Sequence, residues 1–240
     1  MLSIYAIIIV FFAAILQSSI GFGFALITIP FFMLLYPVHL AIGLNIVLTL
    51  IVSLGSLIGV WKHMDKSFTG KLLVGTLFGI PLGALTYMYF NVHWLKIGIS
   101  LIILVLTLAL ISGFTFNLPK RSAAYILGVM AGILGTAVSL PGPPLIIYLT
   151  ARNTDKKQFA GTNLTLFSFT YLVSMFLLLA SGHLPKQVWP LTFNLIPSMI
   201  AGIIVGYVIQ NRINHKLFRN LTYCVLILSS CYSLLTTIKF

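Results

Sequence analysis

Gly135-Thr136-Ala137-Val138-Ser139-Leu140-Pro141-Gly142-Pro143-Pro144 sits in the middle of an apolar run that extends from 123 to 151. Glycine costs about 1 kcal/mol in a helix interior and proline about 3, so a helix entering this stretch must unwind and restart. An earlier apolar run, 2–36, carries a similar interruption, Gln17-Ser18-Ser19-Ile20-Gly21-Phe22-Gly23. Both runs are long enough to reach into a bilayer. Irregular backbone at that depth is tolerated only where it is buried in protein or lines a cavity, so the two interruptions are the first places to look for function.

The rest of the 240-residue chain has the same character, with 60% hydrophobic and 7% charged residues and a mean hydropathy of +1.11. Soluble domains average about 25% charged residues. Apolar runs fall at 2–36, 38–60, 72–90, 97–116, 123–151, 158–181, 190–210 and 220–238, eight segments that leave no room for a soluble domain. The fold class this predicts is an all-α polytopic membrane protein. Met1-Leu2-Ser3-Ile4-Tyr5 has no positive segment, so the first apolar run reads as retained structure and not as a signal peptide.

A net charge of +12 raises the question of a nucleic-acid partner. The basic residues sit in short connections, as at Lys62, Lys66 and Lys71, with no basic stripe interleaved with aromatics, so no nucleic acid is expected. The pattern is that of membrane orientation, and the lipid bilayer is the expected surrounding. Cys224 and Cys231, seven apart on one helical face, lie about 10 Å apart along the axis, too far for a disulfide, and read as packing residues. No metal-ligand spacing and no CxxC, HExxH, GxSxG or P-loop pattern occurs. The sequence implies no metal and no cofactor.

Shifting the chain by 118 positions places Ala13-Ala14-Ile15-Leu16-Gln17 on Ala131-Gly132-Ile133-Leu134-Gly135, and Ala41-Ile42-Gly43-Leu44-Asn45 on Phe159-Ala160-Gly161-Thr162-Asn163. Further on, at an offset of 123, Gly79-Ile80-Pro81-Leu82-Gly83 meets Gly202-Ile203-Ile204-Val205-Gly206. The chain therefore divides into a first repeat, 1–119, and a second, 120–240, within one membrane domain. Each repeat has a broken segment followed by three transmembrane helices. The glycine pairs read as close-packing positions.

Eight full crossings would divide the fourteen Lys and Arg seven to seven. If the two broken segments instead re-enter and return to their own side, Lys62, Lys66, Lys71, Lys120, Arg121, Arg152, Lys156, Lys157, Arg212, Lys216 and Arg219 share one face. Only Lys96, Lys186 and Lys239 lie opposite. The positive-inside tendency favours the second arrangement, with three crossings per half and the halves inverted. Eight full spans remain the alternative.

Asp65 and Asp155, the two acids, both lie in basic connections, so no carboxylate relay or cation cage is expected in the membrane and ion coupling is expected to be weak or absent. The breaks and the helices after them offer Gln17, Ser18, Ser19, Thr136, Ser139, Asn45 and Asn163. The first N–H groups of each restarted helix add partial positive charge and bind anions without a formal charge nearby. Gly21 and Gly23 allow a ligand close to the backbone, Phe24 opens the first restarted helix, and Gly142 precedes Pro143 and Pro144, which bring no N–H of their own. The plainer reading of each hydroxyl is a bond to its own backbone or a link between helices. His39, His63, His93, His183 and His215 fall near span ends or in loops, where interfacial roles suffice.

In Gly21-Phe22-Gly23-Phe24 followed by Pro30, and in Gly132, Gly135 and Pro141-Gly142-Pro143-Pro144-Leu145 with Tyr148, the chain resembles the TauE/SafE family of sulfite-exporter-like permeases. Where many members look glycine-richer before the second Gly-Pro, this chain has Leu140-Pro141. The resemblance implies a multi-pass, bacterial-type plasma-membrane transporter of sulfite, organosulfonates or related sulfur-containing anions. The residues themselves suggest an uncharged, donor-rich site for a small anionic substrate, worked by alternating access between inverted halves. Alternatives are an anion channel of the same fold or a non-transporting membrane protein. An enzyme is disfavoured by the want of acids and central histidines, and oligomeric state is not encoded in any of these patterns.

Overall fold

The structure, a computed structural model, describes residues 4–112 and 119–210. The eighth apolar segment, with Cys224, Cys231, His215, Arg212, Lys216, Arg219 and Lys239, lies outside the described residues. Within them the chain is all helical: α1 (Ile4–Ile20), α2 (Phe24–Leu35), α3 (Val38–Leu57), α4 (Lys66–Tyr89), α5 (Val92–Ser112), α6 (Lys120–Ala137), α7 (Pro143–Ala151), α8 (Lys156–Ala180) and α9 (Val188–Ile209). A short 3-10 turn, Trp61–His63, precedes α4.

α3, α4, α8 and α9, of 20, 24, 25 and 22 residues, are long and apolar enough to cross a membrane. At 1.5 Å per residue each reaches about 30 Å or more. Phe78, Leu82 and Leu85 on α4 and Phe193, Ile200 and Ile204 on α9 are exposed among the described residues, apolar faces that suit a lipid surrounding. Trp61, Tyr89, Phe90 and Trp94 are exposed near helix ends, where amphipathic rings suit the headgroup layer. The polar residues are turned inward: Gln17, Asn45, Ser139 and Asn163 are all fully buried. The chain is a multi-pass membrane protein.

Glycine decides the two closest helix pairs. Gly75, Gly79 and Gly83 of α4 lie against the carbonyls of Tyr125, Val129 and Ile133 of α6, and Gly128 and Gly132 answer from the other side. A Cβ on Gly83 would stand 2.5 Å from Ile133 O, and one on Gly132 would stand 2.7 Å from Ile80 N. Equal four-residue steps in the same direction make α4 and α6 parallel, with bare backbone touching bare backbone. α9 and α1 pair in the same way. Ser198 Oγ donates to Ile7 O at 2.7 Å, and Cβ atoms on Gly202 and Gly206 would stand 2.5 Å from Phe11 O and 2.7 Å from Ile15 O. The GxxxG positions are close-packing sites, as their spacing predicts.

α3 and α8 run between these pairs and are antiparallel. Gly43 of α3 faces Leu184 and Val188 just beyond the end of α8, whereas Gly161, near the start of α8, faces Val60 O beyond the end of α3. One end of the bundle gathers the starts of α4, α6 and α8. There Lys120 Nζ pairs with Asp65 Oδ2 at 2.6 Å, Thr165 Oγ1 donates to Met64 Sδ at 3.4 Å, and the Tyr148 ring near the end of α7 stacks on Phe68 with centroids 5.6 Å apart. At the opposite end Tyr87 Oη, near the end of α4, donates to His39 O (3.1 Å) and to His183 O (3.4 Å). His39 Nε2 donates back to Tyr87 O at 3.0 Å.

Asp65 caps α4 by accepting from Phe68 N at 3.0 Å. Lys120 and that N–H hold its carboxyl below the usual carboxylate range, so the charged form is favoured in the folded protein. A lowered folded-state value means the contribution is complete above the unfolded value, about pH 3.9, and fades as pH falls through the lower folded value. In thermal unfolding of the purified protein, Asp65→Asn, which keeps a good capping residue, is expected to melt below wild type at pH 7, and the gap should close progressively below about pH 4. Gly79→Val is expected to cost more than about 2 kcal/mol through overpacking. Gly70→Ala, at an exposed α4 position with nothing within 4 Å of the new Cβ, should be neutral or stabilising by up to about 1 kcal/mol. Melting both variants beside wild type checks this.

Candidate functional site

Two interruptions define the interior, and both are shorter than their sequences suggest. In the first, Gln17, Ser18 and Ser19 remain helical and only residues 21–23 leave α1 and α2. In the second, Gly135 and Thr136 stay in α6, residues 138–142 form the break, and Pro143 and Pro144 open α7. Helix persists to Ile20 because Gly21 N still donates to Gln17 O at 2.7 Å. Gly21 (φ 89°) and Gly23 (φ 112°) then adopt left-handed backbone, which glycine reaches at little steric cost.

The breaks converge on a buried cavity of about 20 Å³, lined from the first side by Gln17, Gly23, Ala25 and Leu26 and from the second by Leu140, Pro141, Gly142, Pro143 and Ile146. Thr49 of α3 and Phe167 and Tyr171 of α8 complete the wall. Space of that size accepts about one water.

Gln17 is the central polar group. Its Oε1 accepts from Phe24 N, the first N–H of α2, at 3.3 Å, and its Nε2 donates to Ser53 Oγ at 2.8 Å. The side chain thus occupies one of the donors that α2 would otherwise turn toward a ligand. Asn45 ties the halves of the chain together: Nδ2 donates to Ser139 Oγ at 2.8 Å, and Oδ1 accepts from Thr28 Oγ1. Ser139 holds a left-handed backbone, φ 58°, which costs a residue with a Cβ roughly 1–2 kcal/mol. Asn45 fixes its hydroxyl, and Tyr171 Oη donates to its carbonyl at 2.9 Å.

The other polar candidates stand back from the cavity. Ser18 Oγ donates to Ala14 O and accepts from Ser56 Oγ, and Ser19 Oγ donates to Ile15 O and Leu16 O, the plain backbone role such hydroxyls often take. Thr136 and Ser174 share a 2.6 Å hydrogen bond. Gly21 abuts Ala160, whose Cα is 2.6 Å from where a Cβ would be. Asn163 Nδ2 donates to Phe159 O at 3.0 Å.

Of the residues singled out in the sequence, Gln17, Gly23 and Gly142 line the cavity, Phe24 meets Gln17, and Asn45 and Ser139 brace its edge. Thr49, Ser53, Phe167 and Tyr171 were missed. The signal was present: Thr49 and Ser53 follow Asn45 by four and eight residues, and Phe167 and Tyr171 follow Asn163 by the same steps, which puts each trio on one helical face.

No curated protein and no solved structure matches the chain. The family model described as sulfite exporter TauE/SafE matches residues 6–233, a stretch that includes both breaks, the cavity and every described helix from α2 to α9. With that match over a multi-pass helical bundle, the chain belongs to the sulfite exporter TauE/SafE family, a family of membrane transporters.

Proposed function

We propose that the protein is a secondary transporter of small sulfur-containing anions, sulfite, organosulfonates or related carboxylates, in a bacterial-type plasma membrane. It would work by alternating access, with its site at the cavity between the breaks. The observation that carries the reading is the convergence of both breaks on one buried cavity at the N-terminus of α2. That end brings partial positive charge, and Gln17, Thr49 and Tyr171 bring neutral polar groups. Pro143 and Pro144 deprive α7 of its first two N–H donors, so the anion's oxygens would sit toward α2, on Gly23, Phe24 and the Gln17 amide, with Gly142 opposite. Gln17 Oε1 holds the place of a substrate oxygen until substrate arrives. Asn45 and Ser139 fix the far edge, while Ser18, Ser19, Gly21, Thr136 and Asn163 shape the helices behind it.

Inverted repeats fit this reading. Under the offsets of 118 and 123, α1 corresponds to α6 and α4 to α9, and the parallel pair α1 with α9 then exchanges with α6 and α4. Each broken segment begins and ends toward one end of the bundle, which supports re-entrant hairpins, an external N-terminus and, inside, the face to which Lys62, Lys66, Lys71, Lys120, Arg121, Arg152, Lys156 and Lys157 belong. Discontinuous helices meeting between inverted halves are a recurrent transporter design. A cavity sized for about one water must enlarge to take a four-atom oxyanion. The Tyr87 hydroxyl at one end and the Phe68 and Tyr148 stack at the other are the contacts that would part in turn. A channel would need no such alternation.

Counterflow in proteoliposomes tests this, with unlabelled sulfite or an organosulfonate inside and the labelled anion outside. Saturable uptake is expected, falling at least about tenfold, the equivalent of about 1.4 kcal/mol, in Gln17→Ala and in Asn45→Ala. Thr86→Ala, an exposed α4 hydroxyl bonded to Leu82 O, should transport at the wild-type rate. Non-saturating current without exchange would replace the carrier by a channel.

A further inference from the structure

The buried amide of Asn163 has an oxygen that the anion reading does not use. Its Nδ2 is committed to Phe159 O, and since a carbonyl accepts only from a donor, the free end of the amide must be Oδ1. That atom is buried and has no hydrogen-bond partner, on a residue with no solvent exposure. A free acceptor repels an anion and attracts a cation.

Its surroundings supply more oxygens of the same kind. Asn163 lies three and four residues beyond Ala160 and Phe159, on the α8 face that packs on the first break: Gly21 abuts Ala160, and the Phe22 ring meets the Phe159 ring at 5.7 Å. α1 ends there, at Ile20, so the carbonyls of Ser18, Ser19 and Ile20 are among its last and have no intrahelical donor. The N–H groups four residues on belong to Phe22 and Gly23 in the break and to Phe24, which donates to Gln17 Oε1. The end of a helix carries partial negative charge, and half-helix ends with unwound carbonyls are where transporters hold alkali cations. In the other half the corresponding amide, Asn45, is fully bonded to Thr28 and Ser139. At the offset of 118 those partners become Ile146 and Gly21, neither of which has a polar side chain.

We propose that Asn163 Oδ1 and the terminal carbonyls of α1 form a site for an alkali cation, one turn of α8 from the cavity-lining Phe167. Hard neutral oxygens suit such an ion, and the site needs no carboxylate. A cation there would partly neutralise an anion in the cavity, coupling the two in a region of low dielectric. The coupling role rests on the transport reading above; the binding does not.

The test is thermal unfolding of the purified full-length protein in detergent, with choline chloride replaced by NaCl or by KCl at constant ionic strength. Binding to the folded state alone raises the melting temperature with cation concentration. At least one alkali cation is expected to do so where choline does not, with the shift lost in Asn163→Leu and kept in Thr86→Ala. Asn163→Asp keeps an oxygen and adds charge, so half-saturation should fall by about tenfold, in line with the dependence of cation affinity on ligand charge. Should Asn163→Leu fail to fold, the aspartate variant carries the test. Identical melting in all three salts, a shift that survives Asn163→Leu, or an unchanged half-saturation in Asn163→Asp would each overturn the site. Cation binding by a protein that fails counterflow would sink the transport reading and leave this site standing.

Discussion

Inside hydrocarbon every backbone N–H and C=O needs a partner from the protein itself, and breaking a helix there exposes several at once. Much of the bundle's interior follows from that demand. α3 and α8 thread between the two breaks and present polar side chains to them: Ser53 holds Gln17, Asn45 holds Ser139, and Tyr171 reaches the Ser139 carbonyl. Large aliphatic residues fill the remainder of α3, as with Ile42, Leu44, Ile46 and Leu48, all fully buried.

The two breaks meet the demand by different means. In the first, glycines take the left-handed turns and an added side chain, that of Gln17, accepts from the first N–H of α2. In the second, two prolines begin α7, so two of the N–H groups that would need partners do not exist. Ser139 makes the turn where a glycine would serve with less strain, and its hydroxyl becomes the bond that joins the halves. Each of these bonds is made within one chain.

The positions of the breaks were legible because glycine and proline act locally, through backbone entropy and a missing N–H. Their extent was not. Gln17, Ser18 and Ser19 look like loop residues in a list, yet helical bonding carries through them to Ile20. The contact stripe between α4 and α6 was half visible: Gly79 and Gly83 announced themselves by spacing, but nothing in the sequence says that their partners are the carbonyls of Val129 and Ile133. The same limit hid Thr49, Ser53 and Tyr171, which lie on the faces of the two asparagines. A helical face can be read from spacing, but which face meets which depends on a fold that brings residues 45 and 139 together.

The parallel pairing of α1 with α9 carries a consequence for how the protein is made. Ile7 and Ser198 are separated by 191 positions, so α1 leaves the ribosome well before the surface it packs on has been made. At cellular rates of synthesis the interval is on the order of ten to forty seconds. Through that time the first break must keep its polar groups with Gln17 and α3 alone. The bond from Gln17 to Phe24, formed across seven residues, is available at once, and it gives the nascent broken segment a way to wait in lipid for its partner.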